Sequence, residues 1–240
     1  MKFKLSLLSI GVFLFLLNVS IAQQEGYSEK TIGATTEKGY YINGEKDGTW
    51  VSELRDGTIS KVASYKNGVK QGIFLEFDRK GHISKQSYYK EGVLNGWMLE
   101  YSKSNKLTLK VKYVNGQING MKYLYYDNGR VQEESQYKEG KKDGLSKWYD
   151  NNNKVIAEYQ YKDGNFNGVN KTFHINGNVK IMETYLDNIL EGEYKEFYPT
   201  GKVIVSGMYI AGKKEGEWLE YSPQGTLVKT TQFKSGEAIE

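Results

Sequence analysis

The sequence predicts an all-β fold, an elongated single-sheet antiparallel β-meander built from about eight stacked 24-residue hairpin repeats. Three observations predict it. One phrase recurs every 24 residues without insertion or deletion, glycine is far more frequent than proline (27 against 2), and the runs between glycines alternate between apolar and polar residues. Strict internal repetition indicates a repeat architecture. Period-two alternation between turn residues is typical of antiparallel strands.

The first 22 residues differ from the rest. Lys2 and Lys4 form a basic head, residues 5–17 are almost all apolar, and residues 20–22 (Ser-Ile-Ala) offer a small-x-small cleavage site. This order is typical of a secretory signal peptide. Cleavage near Ala22 is favoured over an uncleaved membrane anchor because the apolar run is short. We therefore expect an extracytoplasmic protein, either periplasmic, at the outer surface or secreted.

The remainder divides into an N-terminal leader or cap (23–40) and a repeat array (41–240). Each unit opens with a phrase such as "YKNGVKQG" or "YKEGKKDG". The units start at 41, 65, 89, 113, 137, 161, 185 and 209, and a half unit starts at 233.

Each unit has three glycine slots, which together hold 22 of the 27 glycines. The first two slots, predicted to be structural turn positions, hold Gly44, Gly48, Gly68, Gly72, Gly92, Gly96, Gly116, Gly120, Gly140, Gly144, Gly164, Gly168, Gly192, Gly212 and Gly216. The exceptions among the three slots are all asparagine: Asn105, Asn153 and Asn188. Asparagine is the residue that best replaces glycine at positive φ. The slots therefore indicate turns, with the "YxxGxxxG" phrase joining successive hairpins, and not a ligand loop.

The strands carry recurrent aromatic residues. Tyrosine opens every unit from 41 to 209 and phenylalanine opens the half unit, so a ladder spaced at about 10 Å should run along one face. We expect this ladder to build the core of the thin sheet, because residues fixed in every repeat form the repeat itself.

Several kinds of site find no support in the sequence. The glycines around Lys141 lack the G-x-x-x-x-G-K-[ST] order of a phosphate loop. The chain has no cysteine, and its two histidines lie in different repeats without nearby partners. A net charge of +4 is too small for binding driven by nucleic-acid phosphates. We expect no catalytic residue, no metal, no cofactor and no nucleic-acid partner, and any membrane contact should be peripheral.

Partner binding is expected in slots that vary between repeats. Two residues after the second glycine, the slot is apolar near both ends of the array and polar in its middle. We predict exposed apolar patches there that could bind a partner. The candidate residues are Trp50, Phe74 and Met98 in one patch, and Tyr194 and Trp218 in another.

The repeated pattern of tyrosine, two spaced glycines and a strand aromatic residue resembles the bacterial variant of the MORN repeat over about residues 41–240. The resemblance implies a stack of hairpins used for protein interaction or scaffolding. Some bacterial proteins with this repeat are labelled as toxin-neutralising partners.

We therefore expect an exported, non-enzymatic scaffold with a protein partner, in the manner of an antitoxin or an envelope-associated protein. The alternative is a carbohydrate or cell-envelope binding module that uses aromatic residues on the sheet face.

Overall fold

The computed structural model describes residues 24–239, which form a single sheet of 21 antiparallel strands and no helix. The strands are β1 (Gly26–Ile32), β2 (Thr35–Ile42), β3 (Glu45–Leu54), β4 (Ile59–Lys66), β5 (Val69–Phe77), β6 (Ile83–Lys90), β7 (Val93–Leu94), β8 (Gly96–Tyr101), β9 (Leu107–Val114), β10 (Gln117–Tyr125), β11 (Val131–Lys138), β12 (Lys141–Tyr149), β13 (Val155–Lys162), β14 (Asn165–Phe166), β15 (Gly168–Phe173), β16 (Val179–Leu186), β17 (Ile189–Phe197), β18 (Val203–Ile210), β19 (Lys213–Tyr221), β20 (Leu227–Lys234) and β21 (Glu237–Ile239).

Consecutive strands pair along the chain, so the predicted all-β meander is confirmed. β7 and β8 both pair with β6, and β14 and β15 both pair with β13, so each couple is one interrupted strand. The segment that we expected to be a leader contains β1 and most of β2, which pair with each other and extend the sheet. The predicted signal peptide lies outside the described residues.

The first glycine slot closes a two-residue hairpin turn. Lys66 pairs with Val69, and both residues between them have positive φ, 48° at Asn67 and 74° at Gly68. Two successive positive φ values define the type I′ turn, whose twist matches that of the flanking strands. All nine first-slot turns have this conformation, including the turn in which Asn188 replaces glycine. The predicted need for positive φ is therefore confirmed.

These turns are bonded to one another along the sheet. The N–H of Gly68 donates to the carbonyl of Lys46 at 2.8 Å, and the equivalent bond recurs at every later first slot. A side chain adds a second link, because the Glu91 N–H donates to Gln71 Oε1 at 2.8 Å. Asp47, Glu191 and Glu215 accept from later turns in the same way. In these repeats the residue before the second glycine thus ties one repeat to the next.

The second glycine slot is not part of the connecting turn, contrary to the prediction. Gly72 lies inside β5, where the pairing with β4 shifts between Ala63 and Tyr65. Its φ of 93° is that of a β-bulge, which glycine adopts without steric cost. The bulge recurs in the other repeats and moves the strand register by two residues.

The third slot closes the other end of each hairpin. Gly81 has a φ of 82°, and its N–H donates to the Asp78 carbonyl at 3.0 Å. The Asp78 carboxylate also accepts from the N–H of Lys80 and of His82. This is a type I turn followed by a left-handed residue. Asn105 and Asn153 replace the glycine at φ 59° and 66°, as the sequence predicted.

Candidate functional site

The two faces of the sheet differ sharply in burial. Directly paired residues share a face, and alternate residues along a strand lie on opposite faces. We call the side that carries Trp50, Ala63 and Phe74 the packed face, because it holds nearly all the buried side chains. We call the side that carries Ile73, Tyr88 and Trp97 the open face.

The central row of the packed face pairs large residues with small ones. Trp50 lies over Gly39, Trp218 lies over Gly207, and Phe74 is paired with Ala63. At Gly39 and Gly207 even a methyl group would collide with the indole ring. In each of these cross-strand pairs a small residue in one slot leaves room for a large residue in the other. The side-chain volume of the pair is therefore divided differently from repeat to repeat, and the single-layered sheet fills its core in this way.

The core gains cover from the tyrosine ladder and from lysine. The Trp50 ring meets the Tyr41 ring edge to face at 4.9 Å, and Lys46 Nζ lies 4.2 Å from the indole centroid. The indole N–H donates to the Tyr40 carbonyl at 3.1 Å. At the other end Trp218 contacts Tyr209 and Phe233 in a similar way. The ladder therefore has the packing role that the sequence predicted.

The predicted exposed patches are wrong. Trp50, Phe74, Met98 and Trp218 are between 3% and 9% exposed, and Tyr194 is half-buried against Trp218 at 5.5 Å. The physical reason is that this slot lies on the same face as the tyrosine ladder, so ladder and lysine side chains close over it. Variation in the slot reflects packing against the neighbouring small residue and does not mark an accessible surface.

The middle of the packed face is polar. Glu133 is 3% exposed, and its carboxylate accepts hydrogen bonds from Ser135 Oγ at 2.5 Å and Lys142 Nζ at 2.8 Å. Ser135 and its cross-strand partner Ser146 are fully buried. A buried carboxylate needs such partners, since a lone one would be strongly destabilising. This cluster is therefore an ion-paired part of the core and offers no open site.

The open face presents an apolar strip that the sequence interpretation missed. Ile73 and Tyr88 are a cross-strand pair, exposed by 40% and 48%, and Trp97 beside them is 39% exposed. Trp97 is paired with Lys112, and Lys110 Nζ lies 4.5 Å from the Trp97 ring centroid. We call these five residues the N-terminal strip.

The strands that carry the strip place no carboxylate on the open face, and Glu134 on that face lies two strands from Lys110. Between residues 59 and 125 the acidic residues are Glu76, Asp78, Glu91 and Glu100. Glu76 and Glu100 lie on the packed face, while the other two lie in hairpin turns. Among the described residues neither Lys110 nor Lys112 has an ion-pair partner. The strip thus combines exposed apolar area with unneutralised positive charge.

A signal for this strip was present in the sequence. The slot that directly follows the second glycine holds Thr49, Ile73, Trp97, Met121, Leu145, Val169, Glu193 and Glu217. It alternates with the buried slot and therefore faces the other way. Trp97 is the largest residue in it.

Two further features bear on function. Within residues 24–239 no three His, Cys, Asp or Glu side chains come together as a metal would require. The same residues contain no helix long and apolar enough to cross a membrane.

Comparison with known families identifies the repeats. Residues 118–139, 142–163, 190–211 and 214–235 match the family model described as the MORN repeat variant. No curated protein matches the chain. The matched segments keep the 24-residue spacing of the hairpins in the structure, and the unmatched hairpins continue the same sheet. The chain is therefore a MORN repeat variant protein, a β-sheet scaffold in which the family model detects four of the repeats.

Proposed function

We propose that this MORN repeat scaffold is an exported, non-catalytic protein that binds another protein through the N-terminal strip on its open face. The observation that carries the proposal is the exposed cluster of Ile73, Tyr88 and Trp97 beside two lysines without ion-pair partners. Exposed aromatic residues with a charged rim are typical of protein interfaces, and tryptophan and tyrosine are the residues that most often dominate binding energy.

Charge complementarity defines the partner. Lys110 and Lys112 have no ion-pair partner among the described residues, and the strands of the strip place no carboxylate on the open face, so a like-charged surface would be repelled there. The matching surface is apolar at its centre and carries carboxylates. A toxin that this chain neutralises, or an envelope protein that it holds, would need a surface of that kind.

The proposal is tested by site-specific photo-crosslinking in the producing cell. p-Benzoylphenylalanine in place of Tyr88 should give a covalent adduct with one protein. The same group in place of Ile175, an 85% exposed residue in a hairpin turn, should not. The crosslinked protein is then identified, and the affinity of that protein for the purified chain is measured.

Trp97→Ala should weaken that affinity by about 2 kcal/mol, or roughly 30-fold, as loss of a central tryptophan usually does. Val169→Ala removes an equally exposed apolar residue from the same slot and should leave the affinity unchanged. No protein adduct at position 88, or an affinity insensitive to Trp97→Ala, would refute the proposal. Binding of a polysaccharide that is lost in Trp97→Ala would establish the carbohydrate alternative instead.

Export is tested separately by the mass of the protein recovered from the extracytoplasmic fraction. Cleavage after Ala22 should leave a chain that begins at Gln23. Recovery of the uncleaved chain from the cytoplasm would contradict export without affecting the strip.

A further inference from the structure

One ion pair recurs on the packed face, between a lysine and the glutamate nine residues before it. Lys46 Nζ lies 2.7 Å from Glu37 Oε2, and Lys142 Nζ lies 2.8 Å from Glu133 Oε1. Both lysines also lie over aromatic rings, as Lys46 does at 4.2 Å from the Trp50 centroid. In these two repeats, therefore, rings hold the ammonium group and a carboxylate neutralises it.

The repeat that follows Lys46 has the lysine but lacks the carboxylate. Lys70 Nζ lies 4.3 Å from the Phe74 ring centroid, so it occupies the place that Lys46 has one repeat earlier. The residue nine positions before it is Lys61 instead of glutamate. Glu76 is paired with Lys61 across the strands, yet among residues 24–239 neither lysine has an ion-pair partner. Two lysines thus stand in the places of an ion pair, without the carboxylate.

The same two lysines line a cavity at the N-terminal end of the packed face. Its volume is about 130 Å³, and an adjoining cavity of about 240 Å³ shares Lys61 and Ser52 with it. The walls combine aromatic rings (Trp50, Tyr65 and Phe74) with hydroxyl groups (Thr35, Ser52 and Ser60). Lys61 is exposed and Lys70 is half-buried, so a ligand can reach them from solvent. Walls of this kind suit a small molecule that has both polar and apolar surface.

We propose that these adjoining cavities bind a small hydroxylated carboxylate of the sugar-acid class. The carboxylate accepts hydrogen bonds from the ammonium groups of Lys61 and Lys70, and it takes the role that the Glu37 carboxylate has beside Lys46. Hydrogen bonds between two charged groups are the strongest that such a site can offer. The hydroxylated body lies in the larger cavity against the serine and threonine hydroxyl groups. The site is on the face opposite the N-terminal strip, so it does not depend on the protein partner proposed above.

Isothermal titration calorimetry of the purified chain with glucuronate tests the site. Acetate supplies the carboxylate without the hydroxylated body, and glucose supplies the body without the charge, so each should bind at least about tenfold more weakly than glucuronate. Lys61→Gln and Lys70→Met should each weaken glucuronate binding at least about tenfold, as loss of a hydrogen bond to a charged group does. Methionine keeps an apolar chain over the Phe74 ring, which preserves the packing.

Lys214→Met is the matched control. Lys214 Nζ lies 4.0 Å from the Trp218 ring centroid, but the residue nine positions before it is Val205, so no second lysine is present. This variant removes the same charge from the same slot and should leave glucuronate binding unchanged. Hydrogen exchange needs no substitution, and saturating glucuronate should slow exchange of the β2–β5 amides and leave the β16–β20 amides unchanged.

Four results would overturn the proposal. The first is no heat of binding at about 10 mM glucuronate, a concentration that fills even a millimolar site. The second is binding of acetate or inorganic phosphate as tight as that of glucuronate, which would show that the cavities recognise any small anion. The third is binding that survives both Lys61→Gln and Lys70→Met. The fourth is an equal loss in Lys214→Met, which would show that the overall charge of the chain attracts the anion.

Discussion

The pairing of Gly39 with Trp50 allows a quantitative test of how this sheet builds its core. A methyl carbon on Gly39 would lie 2.5 Å from Cε2 of Trp50, and the Gly39 backbone is not in the left-handed region. Favourable carbon contacts need about 3.5–4.0 Å, so the ring would have to move by about 1 Å against Tyr41 and Lys46. We expect Gly39→Ala to lower the free energy of unfolding by roughly 1–3 kcal/mol, the usual cost of overpacking.

The neighbouring repeat supplies the compensating change. There Ala63 is paired with Phe74, so Gly39→Ala combined with Trp50→Phe recreates a combination that the chain already uses. Trp50→Phe alone loses ring volume and the hydrogen bond to the Tyr40 carbonyl, at a cost of about 1–2 kcal/mol. The double variant should be about as stable as Trp50→Phe alone, so the coupling between the two sites should equal the loss from Gly39→Ala alone, roughly 1–3 kcal/mol.

Urea unfolding followed by far-ultraviolet circular dichroism gives the global effect. Repeats can unfold separately, so hydrogen exchange of the β2–β4 amides should report the local effect. Thr49→Ala, on the open face of β3, is the control and should have little effect. A neutral Gly39→Ala variant, or a loss in the double variant equal to the sum of the two single losses, would show that the Gly39–Trp50 pair does not set the packing of this sheet.

The remaining predictions concern the turns and the tyrosines. Gly140→Val should cost about 1–2 kcal/mol because valine resists the φ of 82°, while Gly140→Asn should be tolerated; equal urea midpoints would contradict this. Gln71→Ala should speed hydrogen exchange of the Glu91 amide and lower stability by about 0.5–1.5 kcal/mol, whereas unchanged exchange would show that the side-chain bond is unimportant. Burial and the charge and hydrogen bond of Glu183 raise the pKa of Tyr185 from 10.0 to about 12. The neutral Tyr185 hydroxyl therefore contributes its full share to the free energy of unfolding below pH 10, and that share is lost as the pH rises towards 12. Tyr185→Phe should flatten the dependence of the urea midpoint on pH in that window, and an unchanged profile would contradict the assignment.

The turns could be predicted from the sequence because positive φ is a local requirement. Only glycine and asparagine fill the first and third slots of the complete units, and the structure gives positive φ at Asn105, Asn153 and Asn188 as well. The second slot looked the same in the sequence but is a bulge inside a strand. Both conformations need positive φ, so the residue type alone does not distinguish them.

The exposed surface could not be predicted from alternation alone. A period of two shows which residues share a face but not which face is covered. Trp50 shares its face with Tyr41, and the two-residue shift at the bulge places it over Gly39. That arrangement depends on pairing across strands. The expectation that variable slots bind a partner therefore selected Trp50, whereas Trp97, which is exposed, belongs to the slot next to it.

Variation between repeats has two separate causes in this sheet. On the packed face a change in one slot is matched by the opposite change in its neighbour, as with glycine beside tryptophan and alanine beside phenylalanine. On the open face no such matching is needed, because side chains such as Trp97 and Glu217 project towards solvent. Variation there changes only what the scaffold presents to other molecules. The change from Trp97 to Glu217 within one slot gives a single repeated fold an open face whose two ends differ in charge and in apolar character.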